Sequence, residues 1–584
     1  MSTTGVPAQP QAQPVGGNPP SPAVPPHASE ATRLLCVGTY LDAEYRDRVV
    51  EELYLRDQRV VAPSLGIDAA RVLAHALRAR RTELAWAVGM VCLLAIGAAA
   101  TRGWLLLLAI PGPLQAFGQR VRGSADAPPT RRRVPSFWLR WLGRLLLAYL
   151  LVAIPATAFG QDVGVGHGVG SVLNYVRGFL PRMLEFLVPQ VGSGGIGRWR
   201  ARLALAVLLA IGACVAGEQL QLTRVLRGAL ARRRFADVAA DPAERAGRRY
   251  PRLGARIRLE QHAPLIMYHE ARPFCGAGKA HDTWVLAVEL RRDGTRRTQP
   301  LGNGTVLAAV RPFLEQLRQV AESAEQNGRA VRDRLRRLEI DECVFLPVEG
   351  LRRREDAPYA PDQFEQHRAR AVEEGGEKRR HFLRIRVGGW EEELVVTVFV
   401  RVHTQGRMLM LELAPHVLFP VRADYKDADH AVYRFTNNNV LGKTAYILTH
   451  VPGAPGLALV TLGRRIVGGW RRLTGEFTGA TPEGPAVSVR ELAAEPEGSR
   501  FQSMDVDRYL RSVQDRIAYG VKAAIAEAGY QTGEFVQKVV NISNGGVNID
   551  SVDGSTFAIG DRARAVTTGG APTPPLRGSQ NDDQ

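Results

Sequence analysis

The segment NNNVLGKT, residues 437–444, contains the residue types with which proteins bind nucleotide phosphates. A phosphate-binding loop follows the pattern GxxxxGK[ST]: its backbone amides wrap the phosphates, its lysine adds positive charge and its hydroxyl holds magnesium. Gly442, Lys443 and Thr444 match the end of this pattern, but Asn437 stands in place of the first glycine. The sequence also lacks an apolar strand that ends in an aspartate to hold the metal. We expect a loop that merely contains Gly-Lys-Thr; a membrane-anchored nucleotide-dependent enzyme is the alternative.

Three histidines and a cysteine form a loose group that could in principle bind zinc: His262, His269, Cys275 and His281. Their spacing differs from that of close metal-ligand pairs, and the HEARP segment lacks the second histidine of HExxH. CGAGK, residues 275–279, is too short to support a phosphate site alone, and no Gly-x-Ser-x-Gly turn occurs. The sequence therefore identifies no catalytic residue, metal ligand or cofactor, and it favours a protein that is not an enzyme.

Apolar segments between residues 83 and 223 predict a membrane region of about four spans. Residues 84–101 carry no charge and are long enough to cross the bilayer as a helix, and Asp68 can cap the helix that leads into them. The other predicted spans are residues 104–118, 145–159 and 203–217. The second span returns from a tight hairpin at residues 102–103, and a single tilted helix with Arg102 near its middle is the alternative. No span has Asp, Glu, Lys or His at its apolar centre, which favours an anchor over a transporter.

Arginine clusters predict the orientation of these spans. The clusters border the spans at residues 120–144 and 224–234, and the positive-inside rule assigns them to the cytoplasm. A formal charge of +18 would suit nucleic acid, but its position beside apolar segments indicates anionic lipids instead. We expect a multi-pass plasma-membrane protein with both termini in the cytoplasm. Residues 172–192 are predicted to lie on the outer surface rather than to form a fifth span.

Period-two patterns later in the chain predict a cytoplasmic α+β domain. Residues 381–387, 393–403 and 407–413 form an antiparallel β-meander with glycine-containing turns. In the middle strand the apolar residues share one face, whereas Thr397, Arg401 and His403 mark a less buried opposite face. Residues 283–290 read as a further strand. Residues 306–325 read as a helix that Pro312 bends or begins.

Changes in composition divide the rest of the chain. The predicted segments are a disordered proline-rich tail (1–30), a cytoplasmic helical segment (31–82), the transmembrane region (83–223), a basic juxtamembrane segment (224–262), the α+β domain (263–425), an apolar and basic interfacial segment (426–473), a linker (474–503), a helix (504–530), a glycine-rich β-like tail (531–568) and a disordered end (569–584). Within the interfacial segment, Pro452 and Pro455 interrupt any clean span, so residues 445–473 are predicted to lie on the membrane surface. The helix ends at Gly529.

The tail contains three apolar pairs at i, i+2 spacing, each able to point two side chains to one face of a strand. The pairs are Val540/Ile542, Val547/Ile549 and Phe557/Ile559, with Asn-Gly-Gly and Asp-Gly turns between them. This segment resembles the amyloid-signalling tails of some bacterial proteins and the RHIM core, with Asn548 in place of the glutamine. The resemblance implies self-association, or docking of a protein partner, through Val547, Asn548, Ile549, Phe557 and Ile559. A small hairpin on the preceding helix, or a disordered segment, is the alternative.

Taken together, the spans, the basic borders and the tail are similar to uncharacterised actinomycete multi-pass membrane proteins with a cytoplasmic α+β domain. That similarity implies an architecture and no activity. The sequence predicts a membrane-anchored cytoplasmic binding, scaffold or signalling protein, with membrane lipids as partners and nucleic acid disfavoured.

Overall fold

The computed structural model describes residues 25–64, 66–101, 105, 111–122, 130–159, 198–247, 251–295, 297–318, 335, 337–373, 376–390, 393–451, 453–474 and 481–543. The chain divides into two compact units. The helical unit comprises Met1–Gly278, Pro347–Tyr359 and Phe419–Glu497, and the sheet unit comprises Lys279–Leu346, Ala360–Leu418 and Gly498–Gln584. The predictions for residues 1–24, for the outer-surface helix at 172–192 and for the tail beyond residue 543 lie outside the described residues.

The described elements are numbered along the chain. The helices are α1 (Glu30–Leu41), α2 (Ala43–Val50), α3 (Ala69–Ala100), α4 (Pro111–Arg122), α5 (Thr130–Ala158), α6 (Arg198–Arg227), α7 (Pro242–Gly247), α8 (Pro251–His262), α9 (Asn303–Glu315), α10 (Pro361–Glu373), α11 (Ala423–Lys426), α12 (Ala428–Asn437), α13 (Val440–His450), α14 (Ala454–Leu473), α15 (Val489–Leu492), α16 (Arg500–Glu527) and α17 (Gly533–Ser543). The strands are β1 (Leu265–Tyr268), β2 (Lys279–Ala280), β3 (Trp284–Glu289), β4 (Leu338–Pro347), β5 (Arg380–Gly389), β6 (Leu394–Gln405) and β7 (Met408–Leu418).

Three helices among the described residues are long and apolar enough to cross a membrane, namely α3, α5 and α6. Residues 104 and 106–110 of the predicted second span lie outside the described residues. From Pro111 onward the chain forms α4, which packs on the basic first half of α5. A Cβ on Gly118 would lie 2.8 Å from Cγ of Arg140, so these two helices approach closely. The described part of the predicted span is thus a short helix beside the basic end of α5.

The first core of the helical unit joins α1, α2, the beginning of α3 and the end of α6. Asp68 caps α3 as the sequence predicts, since its side chain accepts hydrogen bonds from the amides of Ala70 and Arg71. Val489 and Ala493 are buried in the same core, although they fall in the stretch predicted as a linker. Short-range composition marked that stretch as polar, but its few apolar residues have long-range partners.

The second core lies further along α3 and α6 and includes one residue of α5. Met90 of α3, Ile154 of α5 and Ile211 of α6 are buried there. Other apolar side chains of the same helices are exposed, for example Ile96 and Leu209, at 66% and 68%. Buried and exposed apolar residues on one helix are typical of a segment surrounded partly by protein and partly by lipid.

In the sheet unit, β4, β5, β6 and β7 pair antiparallel in that order. Both β2 and β3 pair antiparallel with β7. Every residue of β6 from Leu394 to Val402 is buried, on both faces of the strand, and α9 and α16 contact this strand. α9 and α16 cross closely, because a Cβ on Gly520 would lie 2.6 Å from Cα of Val310. The glycine therefore allows the two helices to pack together.

The prediction of a less buried opposite face on β6 is wrong for two residues. Thr397 and Arg401 are both buried. Arg401 donates hydrogen bonds to the Gly376 carbonyl and to Glu412 on β7, so its charge is paired. Phe345, Phe382 and Phe399 stack edge to face on the same side of the sheet. Cross-strand partners therefore cover a face whose polar residues suggested solvent.

Of two further local predictions, one is narrowed and the other is wrong. Pro312 lies inside α9 near its end, so it does not begin the helix. Val540 and Ile542 lie in α17 rather than in a strand. In α17, Phe535 is buried and Glu534 pairs with Lys538 one turn later, so the helical period overrides the i, i+2 pair.

Candidate functional site

The most enclosed charges of the helical unit lie on α3, one turn after its start. Arg71 and His75 are four residues apart and share a helix face. Both contact the Asp241 carboxylate: Nη2 of Arg71 lies 2.8 Å from Oδ2, and Nε2 of His75 lies 2.9 Å from it. The three side chains are at most 1% exposed. Asp241 also accepts a hydrogen bond from the Ala243 amide at the start of α7, which fixes its position.

Further contacts complete this cluster, which we call the α3 lock: Arg71, His75 and Asp241. Nη1 of Arg71 donates to the His27 carbonyl at 2.6 Å, and its guanidinium lies 3.7 Å from the centre of the Phe235 ring. The Tyr40 hydroxyl is 3.3 Å from Nδ1 of His75. Each side of the arginine thus has a polar or aromatic partner, which a buried guanidinium requires.

The pKa of Asp241 responds to two opposing effects. Burial disfavours the carboxylate and would raise its pKa. The hydrogen bonds from His75 and Arg71, together with the charge of His75, outweigh burial and hold the pKa well below its usual range. The Asp241 carboxylate therefore stays ionised throughout the physiological pH range.

Tyr40, His75 and Asp241 have the residue types of a proton relay, but the geometry favours a structural role. A relay needs a reacting atom within hydrogen-bond distance of one end. The cavity beside α3 has a volume of about 210 Å³, and none of the three residues lines it. Its lining includes Ala70, Ala74, Glu244 and Arg258. The polar groups of the cluster thus bind one another and hold α3 against the chain around residue 241.

A second polar cluster lies where α3 changes from polar to apolar. Glu83 accepts hydrogen bonds from Arg46 at 2.6 Å and from Arg465 at 3.1 Å. Arg465 also donates to Asp47 at 2.9 Å. These contacts join α2, α3 and α14 at one level of the helical unit. We call Arg46, Asp47, Glu83 and Arg465 the boundary cluster.

Beyond the boundary cluster, α3 and α6 are in direct contact. The Trp86 indole donates to the Gln221 side chain at 2.6 Å. A Cβ on Gly217 would lie 2.6 Å from the Trp86 ring, so the glycine is needed for this approach. Near the other end of α3, a Cβ on Gly97 would lie 3.0 Å from Val207. Residue numbers therefore rise along α3 in the direction in which they fall along α6, so the two helices are antiparallel.

Both helices extend without interruption from one core to the other. On α3, Val72 is buried in the first core and Met90 in the second. On α6, Val215 is buried in the second core and Val225 in the first. A shift of either helix in one core must therefore displace residues in the other.

The predicted phosphate-binding residues lie in the first turn of α13. The Asn439 side chain caps this helix by accepting a hydrogen bond from the Gly442 amide at 2.8 Å. The Thr444 hydroxyl donates to the Val440 carbonyl at 2.9 Å. The cap uses an amide that a phosphate would need, and the hydroxyl is turned toward its own helix. Gly442, Lys443 and Thr444 thus form an ordinary capped helix start.

The residues considered for zinc are engaged in local contacts. Nδ1 of His269 accepts a hydrogen bond from the Ala271 amide, and His262 lies 2.7 Å from the Gln261 side chain. His281 belongs to the sheet unit, where it lies 3.9 Å from Asp507. Within the part of the chain that the structure describes, no group of three or more potential ligands is close enough to hold a metal.

The CGAGK loop contacts a carboxylate of the chain itself. The amides of Gly276 and Gly278 both donate to Oε1 of Glu491, at 2.7 and 2.8 Å. Both glycines have positive φ angles, of 99° and 102°, which turn their amides toward the same point. The loop is thus an anion-binding turn whose anion is supplied by α15. Burial and the nearby carboxylate of Glu491 raise the pKa of the Cys275 thiol.

Sequence reasoning did not identify the α3 lock. Its members are separated by 166 positions or more along the chain, apart from the i, i+4 pair of Arg71 and His75. Arg71 and His75 in the otherwise apolar stretch 69–76 signal a need for buried partners, but not which residues those partners are. The predicted self-association residues Val547, Asn548, Ile549, Phe557 and Ile559 lie outside the described residues.

Comparison with known proteins gives one similarity. A family model described as an AbeC-like domain matches residues 283–556. The match includes β3 to β7, α9 to α17 and part of the tail, slightly less than half of the 584 residues. No curated protein and no solved structure matches the chain. The chain is therefore similar to an AbeC-like domain over these residues, and that description names no biochemical activity.

Proposed function

We propose that the protein is a non-enzymatic integral membrane protein that presents a binding or signalling unit at the cytoplasmic face of the plasma membrane. The observation that carries this proposal is the continuity of α3 and α6 between the two cores. A pure anchor could end at the membrane surface in a flexible linker. Here the candidate spans continue as helices into the first core, beside which Arg71, His75 and Asp241 are buried.

The contacts of the helical unit support four passes. Nε of Arg202 donates to the Ala158 carbonyl at 3.3 Å, so the end of α5 is beside the start of α6. Since α3 is also antiparallel to α6, α3 and α5 run in the same direction. The chain must then return between them, and residues 104–118 are the predicted return arm. This supports the hairpin over the single tilted helix.

The charges favour a cytoplasmic first core. Arg224 and Arg227 lie at the end of α6 that enters this core, and positively charged residues are retained on the cytoplasmic side. We therefore propose that both termini are cytoplasmic. Anionic lipid headgroups are the expected partners of these arginines, and the tail residues 547–559 are the proposed contact for self-association or a protein partner.

Reporter fusions test this topology. Alkaline phosphatase and green fluorescent protein are fused in turn after Arg102, Gly166 and Arg234 and at the C-terminus. We expect phosphatase activity only at the first two positions, and fluorescence only at the last two. Phosphatase activity at the C-terminal fusion would overturn the proposed orientation.

A glycine substitution tests the coupling between the cores. Gly217→Ile should force α3 and α6 apart, because its Cβ alone would approach the Trp86 ring to 2.6 Å. We expect faster hydrogen exchange at residues 225–243, which begin about 12 Å further along α6. Gly463→Ala is the matched control, since a Cβ there has no neighbour within 4 Å. If the isoleucine variant folds and leaves exchange at residues 225–243 unchanged, the helices do not couple the cores.

A further inference from the structure

α13 and α14 follow each other along the chain, and Val451, which lies between them, is in the second core. Val451 and Ala458 are buried there together with Met90 of α3 and Ile211 of α6. A Cβ on Gly212 of α6 would be 3.6 Å from Val451, which is ordinary van der Waals contact. The junction of α13 and α14 is therefore packed against the apolar middle of two candidate spans.

The positions of charged residues on α14 and α6 indicate how deep the junction of α13 and α14 lies in the membrane. Arg465 of α14 pairs with Glu83 of α3 in the boundary cluster, and eleven residues separate it from Ala454 at the start of α14. At 1.5 Å per residue, α14 extends about 16 Å beyond the charges. On α6, Gly212 lies twelve residues from Arg224, or about 18 Å. Both distances are about half of the hydrocarbon thickness of roughly 30 Å.

The length of α13 excludes a full crossing. α13 has 11 residues, so it is about 16 Å long, whereas a spanning helix needs about 20 residues. The chain that enters with α13 must leave with α14 on the side from which it came. The four arginines of α14 are all in its second half, at positions 464, 465, 471 and 472, and its first ten residues carry no charge.

The burial pattern fits a turn inside a bilayer. Irregular backbone at membrane depth is tolerated where protein covers it. Val451 and Pro455, on either side of the turn, are buried. Leu457, Val460 and Val467 of α14 are exposed, so these apolar side chains point outward, where none of the described residues covers them. A hairpin exposed to water would have polar residues at these positions.

We propose that α13 and α14 are a re-entrant hairpin that enters the bilayer from the side of the boundary cluster, reaches about its middle and returns, with lipid acyl chains covering its exposed apolar face. The inference rests on the proposed membrane embedding and goes beyond the surface position predicted for residues 445–473. It also positions Lys443 near the lipid headgroups, since this residue is about 10 Å along α13 from the turn.

Spin labels in the full chain test the hairpin. Cys92 and Cys214 are replaced by alanine, and the buried Cys36, Cys275 and Cys343 are retained because they are shielded from the label. Single cysteines at Leu457, Val460 and Val467 are labelled with a nitroxide in phosphatidylcholine–phosphatidylglycerol vesicles. Two reference labels are used: Ile96, exposed on α3, and Val285, exposed in the sheet unit.

We expect oxygen to reach the labels at Leu457 and Val460 better than a water-soluble nickel chelate does, as at Ile96. The label at Val467 should be shallower than that at Leu457 by about 15 Å along the helix. Val285 should be accessible to the nickel chelate.

Three outcomes would overturn the hairpin. In the first outcome, the nickel chelate reaches the label at Leu457 as well as it reaches the label at Val285, while the label at Ile96 remains in lipid. This result would support the membrane spans but place α14 in water. Exclusion of both reagents from Leu457 would mean that protein, not lipid, covers this face. Nickel access at Ile96 would remove the membrane embedding and the hairpin with it.

Discussion

Asp241→Asn provides a direct test of the α3 lock, because it keeps the shape of the side chain and removes its charge. Oδ2 of Asp241 accepts hydrogen bonds from Nε and Nη2 of Arg71 and lies 2.9 Å from Nε2 of His75. Asparagine leaves the guanidinium buried without its counter-ion. Removing one member of a buried ion pair costs about 3–5 kcal/mol. That is a large part of the roughly 5–15 kcal/mol by which domains are stable.

Two further variants distinguish the loss of stability caused by the unpaired charge from the loss that any substitution can cause. Glu44→Gln removes one partner of the exposed Glu44–Arg48 pair, whose loss costs about 0.5 kcal/mol or less. Arg71→Met in the Asp241→Asn background removes the unpaired guanidinium and keeps apolar volume over the Phe235 ring. We expect this double variant to recover part of the lost stability, since an apolar replacement of a buried pair is often close to neutral.

The Cys36 thiol offers a local assay. Cys36 is fully buried in the first core, and burial raises the pKa of its thiol, so labelling requires opening of this core. Labelling of the Cys36 peptide is followed by mass spectrometry at increasing urea concentrations. A loss of 3 kcal/mol corresponds to labelling about 100-fold faster where opening is at equilibrium. Equal shifts for Asp241→Asn and Glu44→Gln would refute the reasoning.

Three other predictions concern the sheet unit, the capped helix start and the tail. The hydrogen bond from His381, aided by Arg368, lowers the pKa of Glu342 to about 2, so its stabilising contribution should be complete above the unfolded value of about 4.3 and lost as the pH falls toward 2. Glu342→Gln should flatten that part of the curve of unfolding free energy against pH; an unchanged curve would contradict the pairing. Lys443→Ala should leave ATP binding, measured by titration calorimetry, as weak as in the parent, and tight ATP binding by the parent alone would restore the enzyme alternative. Deletion of residues 540–563 should reduce the size of detergent-solubilised assemblies on gel filtration, and an identical elution volume would remove the tail from the proposed function.

Local signals in the sequence predicted many elements of the fold. Asp68 caps α3, and Gly529, with a φ angle of 80°, follows α16 where a helix stop is predicted. The strand segments at β5, β6 and β7 were recognisable because alternation and glycine turns are encoded within a few residues. Val540 and Ile542 show the limit of this reasoning, because two apolar residues at i, i+2 fit a helix face nearly as well as a strand.

The candidate site could not be predicted in the same way. Asp241 reaches Arg71 from 170 positions away, and Arg465 reaches Glu83 from 382. The sequence indicates that each buried charged residue needs a partner, but tertiary packing determines which residue that partner is. The same limit applies to residues 445–473: α13 ends at His450 and α14 begins at Ala454, continuing through Pro455 and its glycines, and only the contacts of Val451 show that the junction lies in the second core.

The contacts of α3 bear on how tightly its two ends are coupled. The helix is held at three levels: by Asp241 in the first core, by the boundary cluster through Glu83, and by Gln221 and Gly217 at Trp86. Hydrogen bonds weaken steeply beyond about 3.5 Å, so a shift of one residue rise, about 1.5 Å, would break the polar contacts at all three levels together. Loss of the α3 lock in Asp241→Asn should therefore release the apolar end of α3 as well as the first core.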